Sequence, residues 1–342
     1  MSAASLGMPV EIGRIDKELG KLWESTDDSK TRASLINLAI YTEDESAASQ
    51  NTDLISKIAT EHACRALLIL ANPESSESRA QAWINAHCHV AGKRQICSEQ
   101  ITFQLEGEAA SALPNVVFSH LDSDLPLCFW WQGEFHEPLD EKIWAWVDRL
   151  IYDSAEWKNP AAQFEIADRI AALTETRTVL CDLNWTRLLG VRFALAQFFD
   201  HSFALQHLRH IERVTITAAK KSTGLLLLGW LAAQLDWKLQ SLLGKKFFLS
   251  PEGQHVEFAI EESGDATVSS CVFERADARL EITRDADSEY FHARMSCDEK
   301  PCKTMLLSAG KSDPEDVLLE ELSRGGRHPL YAKAREAIAE LI

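Results

Sequence analysis

The sequence lacks an apolar run long enough to cross a lipid bilayer. Its longest run, "GLLLLGWLAA" at residues 224–233, is about half of the roughly 20 residues that a transmembrane helix needs. The opening stretch "MSAASLGMPVEIGRIDKELG" also lacks the basic start, apolar core and small-residue cleavage site of a secretory signal. We therefore expect a cytoplasmic protein.

Basic residues are scarce relative to acidic ones. The chain has 35 Lys and Arg against 52 Asp and Glu, a formal net charge of −17, and no long run of Lys and Arg. Such a chain repels phosphate backbones and anionic lipid headgroups. We expect neither nucleic acid nor a membrane as a partner.

The common catalytic and cofactor motifs are also missing. No G-x-G-x-x-G follows a predicted strand, and neither G-x-S-x-G nor H-E-x-x-H occurs. The stretch "SAGKSDP" ends like a phosphate-binding loop, but Met305 stands where that loop requires its first glycine. The sequence therefore predicts no metal, no cofactor and no catalytic residue.

Eight cysteines occur without a secretory signal, mostly in apolar segments, so we expect buried thiols rather than disulfides. The stretch "HCHVAGKRQIC" groups four residues with zinc-compatible atoms: His87, Cys88, His89 and Cys97. Their spacing is not the paired pattern typical of zinc sites, which favours a structural role. Cys297 and Cys302 are close enough along the chain for a redox pair, and their redox activity stays open.

The length of 342 residues predicts two domains, at about 150 residues per domain. After an N-terminal helical segment at residues 1–31, residues 32–205 alternate apolar strands with helices. The strands are predicted in "ASLINLAIYTE", "RALLIL", "EQITFQLEG", "LCFWW" and "RTVLCDL", and the helices in "DLISKIATEHAC", "SRAQAWINAHC", "EKIWAWVDRLIYDSA" and "AAQFEIADRIAALTET". This alternation predicts an α/β domain with a doubly wound, mostly parallel sheet.

The second part of the chain has a different pattern. Residues 206–342 contain a core helix in "STGLLLLGWLAAQLDWKL", then short strands separated by turn residues, then helical stretches near the C-terminus. This pattern predicts an α+β domain with an antiparallel meander and C-terminal helices. We place the domain boundary near residues 201–210.

The stretch "DLNWTRLLGVRFALAQFFD" carries the first candidate site. Asp182 ends a predicted strand, and Asn184 is predicted to cap the next helix by accepting from the amide of Arg187. An apolar stripe then faces the core: Leu188, Val191, Leu195, Phe198 and Phe199. Asp182, Trp185, Thr186 and Arg187 lie where open α/β sheets place ligands. An Asp–Arg pair that fixes the turn and a catalytic role both remain open.

A second candidate site lies in "AAKKSTG". Lys220 and Lys221 precede Ser222, which is predicted to cap the following helix. Two ammonium groups at a helix N-terminus favour an anion such as a sugar phosphate.

Several segments, taken in order, resemble the glucose-6-phosphate dehydrogenase assembly protein family, OpcA. They are "LINLAIY", "EHACRALLIL", "SEQITFQLEG", "SDLPLCFWWQGE", "DLNWTRLLGVRFALAQFFD" and "GLLLLGWLAAQLDW", between about Arg32 and Trp237. The family's signature positions correspond here to Arg65, Trp130, Trp131 and the group from Asp182 to Arg187. The chain departs from the family at Ala63 and Cys64, where a Pro-Ser pair is usual, and it matches least near the C-terminus.

The resemblance implies a non-enzymatic protein that binds the glucose-6-phosphate dehydrogenase oligomer and promotes its assembly or activates it allosterically. Such a protein would support the oxidative pentose phosphate pathway and the supply of NADPH. The residues alone leave two alternatives open. One is an enzyme or sugar-phosphate-binding protein that uses the turn from Asp182 to Arg187, together with Lys220 and Lys221. The other is an interaction module of a different metabolic complex.

Overall fold

The computed structural model describes residues 6–24, 30–92, 94–174, 177–263, 266–297, 300–310 and 313–342. The helices are α1 (Ile15–Glu24), α2 (Ala48–Glu61), α3 (Leu113–Val117), α4 (Glu141–Trp144), α5 (Pro160–Leu173), α6 (Leu183–Arg187), α7 (Leu189–Phe199), α8 (Ser202–Leu208), α9 (Lys221–Gln234), α10 (Pro314–Ser323) and α11 (Pro329–Ile338). In the residues described, none of these helices combines the length and apolarity that spanning a membrane requires.

The strands belong to two sheets. The first contains β1 (Met8–Val10), β2 (Lys30–Arg32), β3 (Ile36–Thr42), β4 (Cys64–Asn72), β5 (Arg79–Ala91), β6 (Arg94–Glu106), β7 (Leu127–Trp131), β8 (Arg149–Tyr152) and β9 (Val179–Asp182). The second contains β10 (Arg213–Ala218), β11 (Lys238–Leu242), β12 (Lys245–Leu249), β13 (His255–Glu262), β14 (Val268–Arg275), β15 (Ala278–Thr283), β16 (Tyr290–Cys297) and β17 (Lys300–Ser308).

The chain divides into two compact units. Unit 1 comprises Met1–Asp153, Trp157–Cys181 and Leu322–Gly325, and unit 2 comprises Ser154–Glu156, Asp182–Glu321 and Gly326–Ile342. The main crossing from unit 1 to unit 2 therefore falls at Asp182, earlier than the boundary expected near residues 201–210.

The sheet of unit 1 has the strand order β1-β5-β6-β4-β3-β7-β8-β9, with β2 paired to β6. Neighbours from β6 to β8 are parallel. The order from β6 to β9 is that of a doubly wound sheet, with its topological switch point between β3 and β7. Residues such as Leu38, Leu67 and Phe129 are fully buried, which explains why the central strands have nearly continuous apolar sequences. The predicted doubly wound, mostly parallel sheet is confirmed.

Two predicted helices in unit 1 are wrong. The stretch at residues 78–88 lies largely in β5, which pairs antiparallel with β6 along its whole length. The apolar residues of this stretch fit helical spacing, but the partner strand supplies a hydrogen-bonding ladder that overrides it. The helix predicted over residues 141–155 ends at Trp144, and residues 149–152 form the buried strand β8.

The β5–β6 pairing also corrects the expectation for the cysteines. Cys88 and Cys97 lie directly opposite each other in this register and form a disulfide. A helix at residues 78–88 would not place these two cysteines opposite each other, so the prediction of a helix excluded the disulfide. Cys64, Cys128, Cys181 and Cys271 are buried as expected, whereas Cys297 is partly exposed. Burial raises the pKa of the Cys64 thiol to about 12.

The sheet of unit 2 has the order β11-β12-β13-β10-β14-β15-β16-β17. Within the described part of this sheet, β10 and β13 are the only parallel neighbours. Strands β14 to β17 form the predicted antiparallel meander. Helices α9 and α11 pack closely at Gly229. A Cβ atom added to this glycine would lie 2.3 Å from the carbonyl oxygen of Ala334, which is too near for any side chain. Glycine at this position therefore permits the two helices to pack.

Candidate functional site

Asp182 is the centre of a buried polar cluster in unit 2. Its side chain is 1% exposed, and Oδ1 accepts hydrogen bonds from the amides of Asn184 at 3.0 Å and Ser154 at 3.1 Å. Oδ2 accepts from the hydroxyls of Ser154 at 2.7 Å and Tyr331 at 3.0 Å. These donors compensate the cost of burying the carboxylate.

The cap of α6 is therefore Asp182 and not the predicted Asn184. Asp182 has an extended backbone conformation directly before the helix, which is the geometry of an N-cap. Asn184 lies inside the first turn and is fully buried. Its amide side chain accepts from the hydroxyl of Thr223 at 2.8 Å and donates to the hydroxyl oxygen of Ser154 at 3.0 Å. Asn184 thus ties the start of α6 to the first turn of α9.

Thr186 extends the cluster towards α10. Its hydroxyl donates to Oε2 of Glu321 at 2.6 Å, and Oε1 of Glu321 lies 3.0 Å from Nε2 of His328. Glu321 is fully buried. We call the set Ser154, Asp182, Asn184, Thr186, Thr223, Glu321, His328 and Tyr331 the Asp182 network.

Trp185 lies inside unit 2, where it is 2% exposed. The guanidinium carbon of Arg192 stands 3.7 Å from the centre of an indole ring, and the ring of Tyr331 lies 5.5 Å away. Arg187 is partly exposed and has contacts of its own. The apolar stripe that follows is buried as predicted. The turn from Asp182 to Arg187 is consequently built mostly of interior side chains.

In a doubly wound fold, ligands bind at the switch point of the sheet, which in unit 1 lies between β3 and β7. The loop after β3 carries Glu43, Asp44 and Glu45 in place of a glycine-rich sequence. Oδ1 of Asp44 accepts from the amide of Ser46 at 2.8 Å and from its hydroxyl at 2.6 Å. These hydrogen bonds hold the pKa of the Asp44 carboxyl below its ordinary value. Acidic side chains at this loop do not fit a pyrophosphate, which requires free amides and positive potential.

Side chains of unit 1 also contact one another beside this loop. The rings of Tyr41 and Trp131 stack with their centres 3.8 Å apart, and the Tyr41 hydroxyl donates to Glu43 at 2.7 Å. Burial raises the pKa of the Tyr41 hydroxyl. Asn51 of α2 and Gln132, directly after β7, exchange two amide hydrogen bonds of 3.0 and 2.9 Å. The residues present therefore do not fit a dinucleotide cofactor.

The signature positions in unit 1 are buried too. Trp130 is buried on β7 beside the stacked Trp131. Arg65 is the second residue of β4, with Nη2 donating to Asp16 at 3.4 Å and Nε lying 3.9 Å from Oε2 of Glu99. Glu99 also accepts from the indole of Trp23 at 2.6 Å. These positions have structural contacts, and their part in binding a partner stays a prediction.

At the predicted anion site of α9, one backbone amide has a carboxylate of the chain itself as its partner. The amide of Lys221 donates to Oε1 of Glu262 at 2.7 Å. Lys220 and not Ser222 precedes the helix, and Ser222 is buried near the Asn184 amide. The role of the two lysines in binding an anion stays a prediction, and Glu262 weighs against it.

Sequence reasoning missed the partners of the Asp182 network, because Ser154, Glu321 and Tyr331 come from distant segments. It also missed an open groove of about 560 Å³ in unit 1, which is lined by Glu137, Pro138, Leu139, Glu141, Arg169, Ala172 and Leu173. The proposed redox pair cannot be placed, since the Cys302 side chain lies outside the described part of the chain, as do Lys311 and Ser312 of the loop-like "GKS".

Comparison with protein families matches both units. Residues 55–169 match the glucose-6-phosphate dehydrogenase subunit N-terminal domain, and residues 178–335 match the C-terminal domain, both of the OpcA type. The protein described as OxPP cycle protein OpcA from Nostoc punctiforme is 24% identical over 312 residues, which cover 83% of this chain and 66% of the relative. The Synechocystis protein of the same description is 26% identical over 195 residues, which cover 55% of this chain and 40% of the relative.

The aligned segments thus span about two fifths to two thirds of the length of these curated relatives. Among solved structures, the aldose-aldose oxidoreductase of Caulobacter crescentus is 11% identical with a TM-score of 0.48. That alignment covers 89% of this chain and 96% of the other.

Proposed function

Because the chain belongs to the OpcA family of glucose-6-phosphate dehydrogenase assembly proteins, we propose that it binds the glucose-6-phosphate dehydrogenase oligomer in the cytoplasm and activates it without catalysing a reaction. The match of both units to family domains carries this proposal. A protein of this kind acts by binding the more active state of its partner more tightly than the less active one. Its effect would be a greater supply of NADPH through the oxidative pentose phosphate pathway.

The acidic loop at the switch point of the unit 1 sheet supports the proposal that the protein is not an enzyme. Glu43, Asp44 and Glu45 repel phosphate groups from the edge where a doubly wound sheet binds dinucleotides. The Asp182 network adds to this argument. Both oxygens of Asp182 accept hydrogen bonds from buried donors, so the carboxylate is engaged in holding unit 2 together.

The test is to mix the purified protein with glucose-6-phosphate dehydrogenase from the same organism. We expect the two to comigrate in size-exclusion chromatography with light scattering, and we expect a lower KM or higher kcat of the dehydrogenase. An unrelated protein of similar size and negative charge controls for nonspecific effects. Separate migration together with an unchanged saturation curve would overturn the proposal.

A thermal-shift measurement tests the sugar-phosphate alternative directly. A ligand that binds only the native state raises the melting temperature. A clear rise with glucose 6-phosphate or NADP alone would favour a metabolite-binding protein. We expect no such rise, since Glu262 occupies the amide of Lys221 at the start of α9.

A further inference from the structure

Strands β11 and β12 form a hairpin whose tip exposes apolar side chains. Leu242 pairs with Lys245, so the connecting loop consists of Leu243 and Gly244. Leu243 is 97% exposed and Leu242 is 59% exposed. Scattered exposed leucines are ordinary, but two adjacent ones at the tip of a hairpin form a small apolar surface, which we call the leucine knob.

The backbone at this tip gives no reason for a leucine. Leu243 has φ of 51° and Gly244 has φ of 79°, the left-handed conformations of a tight two-residue hairpin turn. Such turns favour Asn or Asp before Gly, because other side chains are strained in that conformation. Neither the turn nor packing within unit 2 therefore accounts for Leu243. A strained residue that contributes nothing to the fold is a reason to look for a role outside it.

The hairpin has a charge opposite to that of the whole chain. Residues 238–246, "KLQSLLGKK", contain three lysines and no acidic residue in a chain of net charge −17. Lys238 pairs with Asp236 at the base of the hairpin, at 2.7 Å. Lys245 and Lys246 directly follow the turn and are exposed. The ammonium group of Lys246 donates to the backbone carbonyl of Glu340, which does not neutralise its charge. The tip is thus basic as well as apolar.

We propose that the hairpin tip, formed by Leu242, Leu243, Lys245 and Lys246, is a docking element that inserts into an apolar pocket of glucose-6-phosphate dehydrogenase bordered by carboxylates. This inference rests on the proposed function. A convex pair of leucines requires a concave apolar site, and burying each side chain there would stabilise the interface by about 1.5 to 3 kcal/mol. The lysines require acidic residues at the rim, where complementary charge sets orientation and association rate.

The same features argue against a lipid surface as the occupant. A hairpin with two leucines and adjacent lysines could touch an anionic membrane, but the remainder of the chain carries a large excess of acidic residues. That excess repels anionic headgroups over the rest of the surface. The charge balance therefore favours a protein pocket, in which acidic residues meet only the tip.

The test uses Leu242→Ser combined with Leu243→Asn in the full chain. Asn suits the left-handed turn position, so the melting temperature should stay the same or rise. The Kd for the dehydrogenase, measured by interferometry or calorimetry, should rise by about tenfold or more, as for a buried anchor. The matched control is Leu306→Ser on β17 of the same unit, a leucine that is 61% exposed; it should leave the Kd within about twofold.

The outcomes separate this inference from the proposed function. If the wild-type chain binds the dehydrogenase and the hairpin variant binds equally well, the docking element is wrong and the proposed function stands. If the wild-type chain does not bind, both fall. Equal losses in the hairpin variant and in Leu306→Ser would also overturn the hairpin assignment, since any exposed leucine would then serve.

Two further measurements address charge and lipid. Lys245→Glu should slow association and weaken its dependence on salt, because rim charges act mainly on the association rate. An unchanged rate would contradict the carboxylate rim. Sedimentation of the wild-type chain, but not the hairpin variant, with phosphatidylcholine–phosphatidylserine vesicles would overturn the proposal in favour of a membrane contact.

Discussion

The hydroxyl of Tyr331 donates a hydrogen bond to Oδ2 of Asp182 at 3.0 Å, across 149 residues of sequence. This contact joins Asp182, where the long segment of unit 2 begins, to helix α11 of the same unit. The segment from Asp182 to Arg187, which resembles a family signature, therefore stabilises the fold of its own unit. Removing either side chain tests the contact.

Asp182→Ala should destabilise unit 2 by about 3 kcal/mol, because it leaves the buried donors of Ser154 and Tyr331 without an acceptor. Urea unfolding followed by tryptophan fluorescence measures the change. Asp277→Ala, which removes an exposed carboxylate from the same unit, should change the free energy of unfolding by less than about 0.5 kcal/mol. A double-mutant cycle with Tyr331→Phe should show coupling, and strict additivity would contradict the contact.

Trp185→Ala should lower the free energy of unfolding by about 3 to 5 kcal/mol, since it empties a buried site beneath Arg192. The fraction that remains folded at low temperature should still bind the dehydrogenase with the wild-type Kd. Trp146→Ala, at an exposed tryptophan, provides the comparison and should have little effect on stability. Loss of binding without loss of stability in Trp185→Ala would instead identify Trp185 as an interface anchor.

The pH dependence of stability should reflect Asp44. Its folded pKa is lowered by the Ser46 hydrogen bonds, so the stabilisation is present above the unfolded pKa and is lost as pH falls through the folded pKa. Asp44→Ala should therefore lower the free energy of unfolding at neutral pH. The free energy of unfolding should also fall less steeply with decreasing pH than in the wild type. Urea unfolding over a pH series measures both effects, and Asp53→Ala controls for loss of a surface carboxylate in unit 1. A decline as steep as that of the wild type would contradict the prediction.

The disulfide between Cys88 and Cys97 should be detectable by alkylation of the denatured, unreduced protein, followed by mass spectrometry. We expect the two thiols to escape alkylation until dithiothreitol is added. Reduction should cost about 2 to 3 kcal/mol of stability, because the bridge closes a short loop in the unfolded chain. Complete alkylation before reduction would show that the pair is unbonded, and Cys88→Ser would then have little effect on unfolding.

The parts of the fold that could be predicted are those set by local pattern. Strands β3, β4 and β7 are buried on both faces, so their apolar runs identify them. Strand β5 could not be identified in this way, because Ala82, Trp83 and Ile84 fit a helix as well as a strand, and only pairing with β6 decides between them.

The candidate site shows the same limit. The apolar run before Asp182 predicts its position at the end of a strand. Its hydrogen-bond partners cannot be predicted in the same way, because they are distant in the sequence. Ser154 lies 28 residues before it and Tyr331 lies 149 residues after it. The assignment of Asn184 as the cap failed because Asp182, two positions earlier, has the extended backbone and the short acceptor that a cap requires.

The Asp182 network also bears on how the protein is made. During synthesis, the residues around Asp182 leave the ribosome well before Glu321, His328 and Tyr331, so the carboxylate must remain hydrated until the later segments arrive. Unit 2 consequently completes its interior only after residue 331 has emerged, whereas the parallel strands β3, β4, β6, β7 and β8 of unit 1 are already available for pairing. Chains interrupted between these points would have the strands of the first sheet but an incomplete second unit.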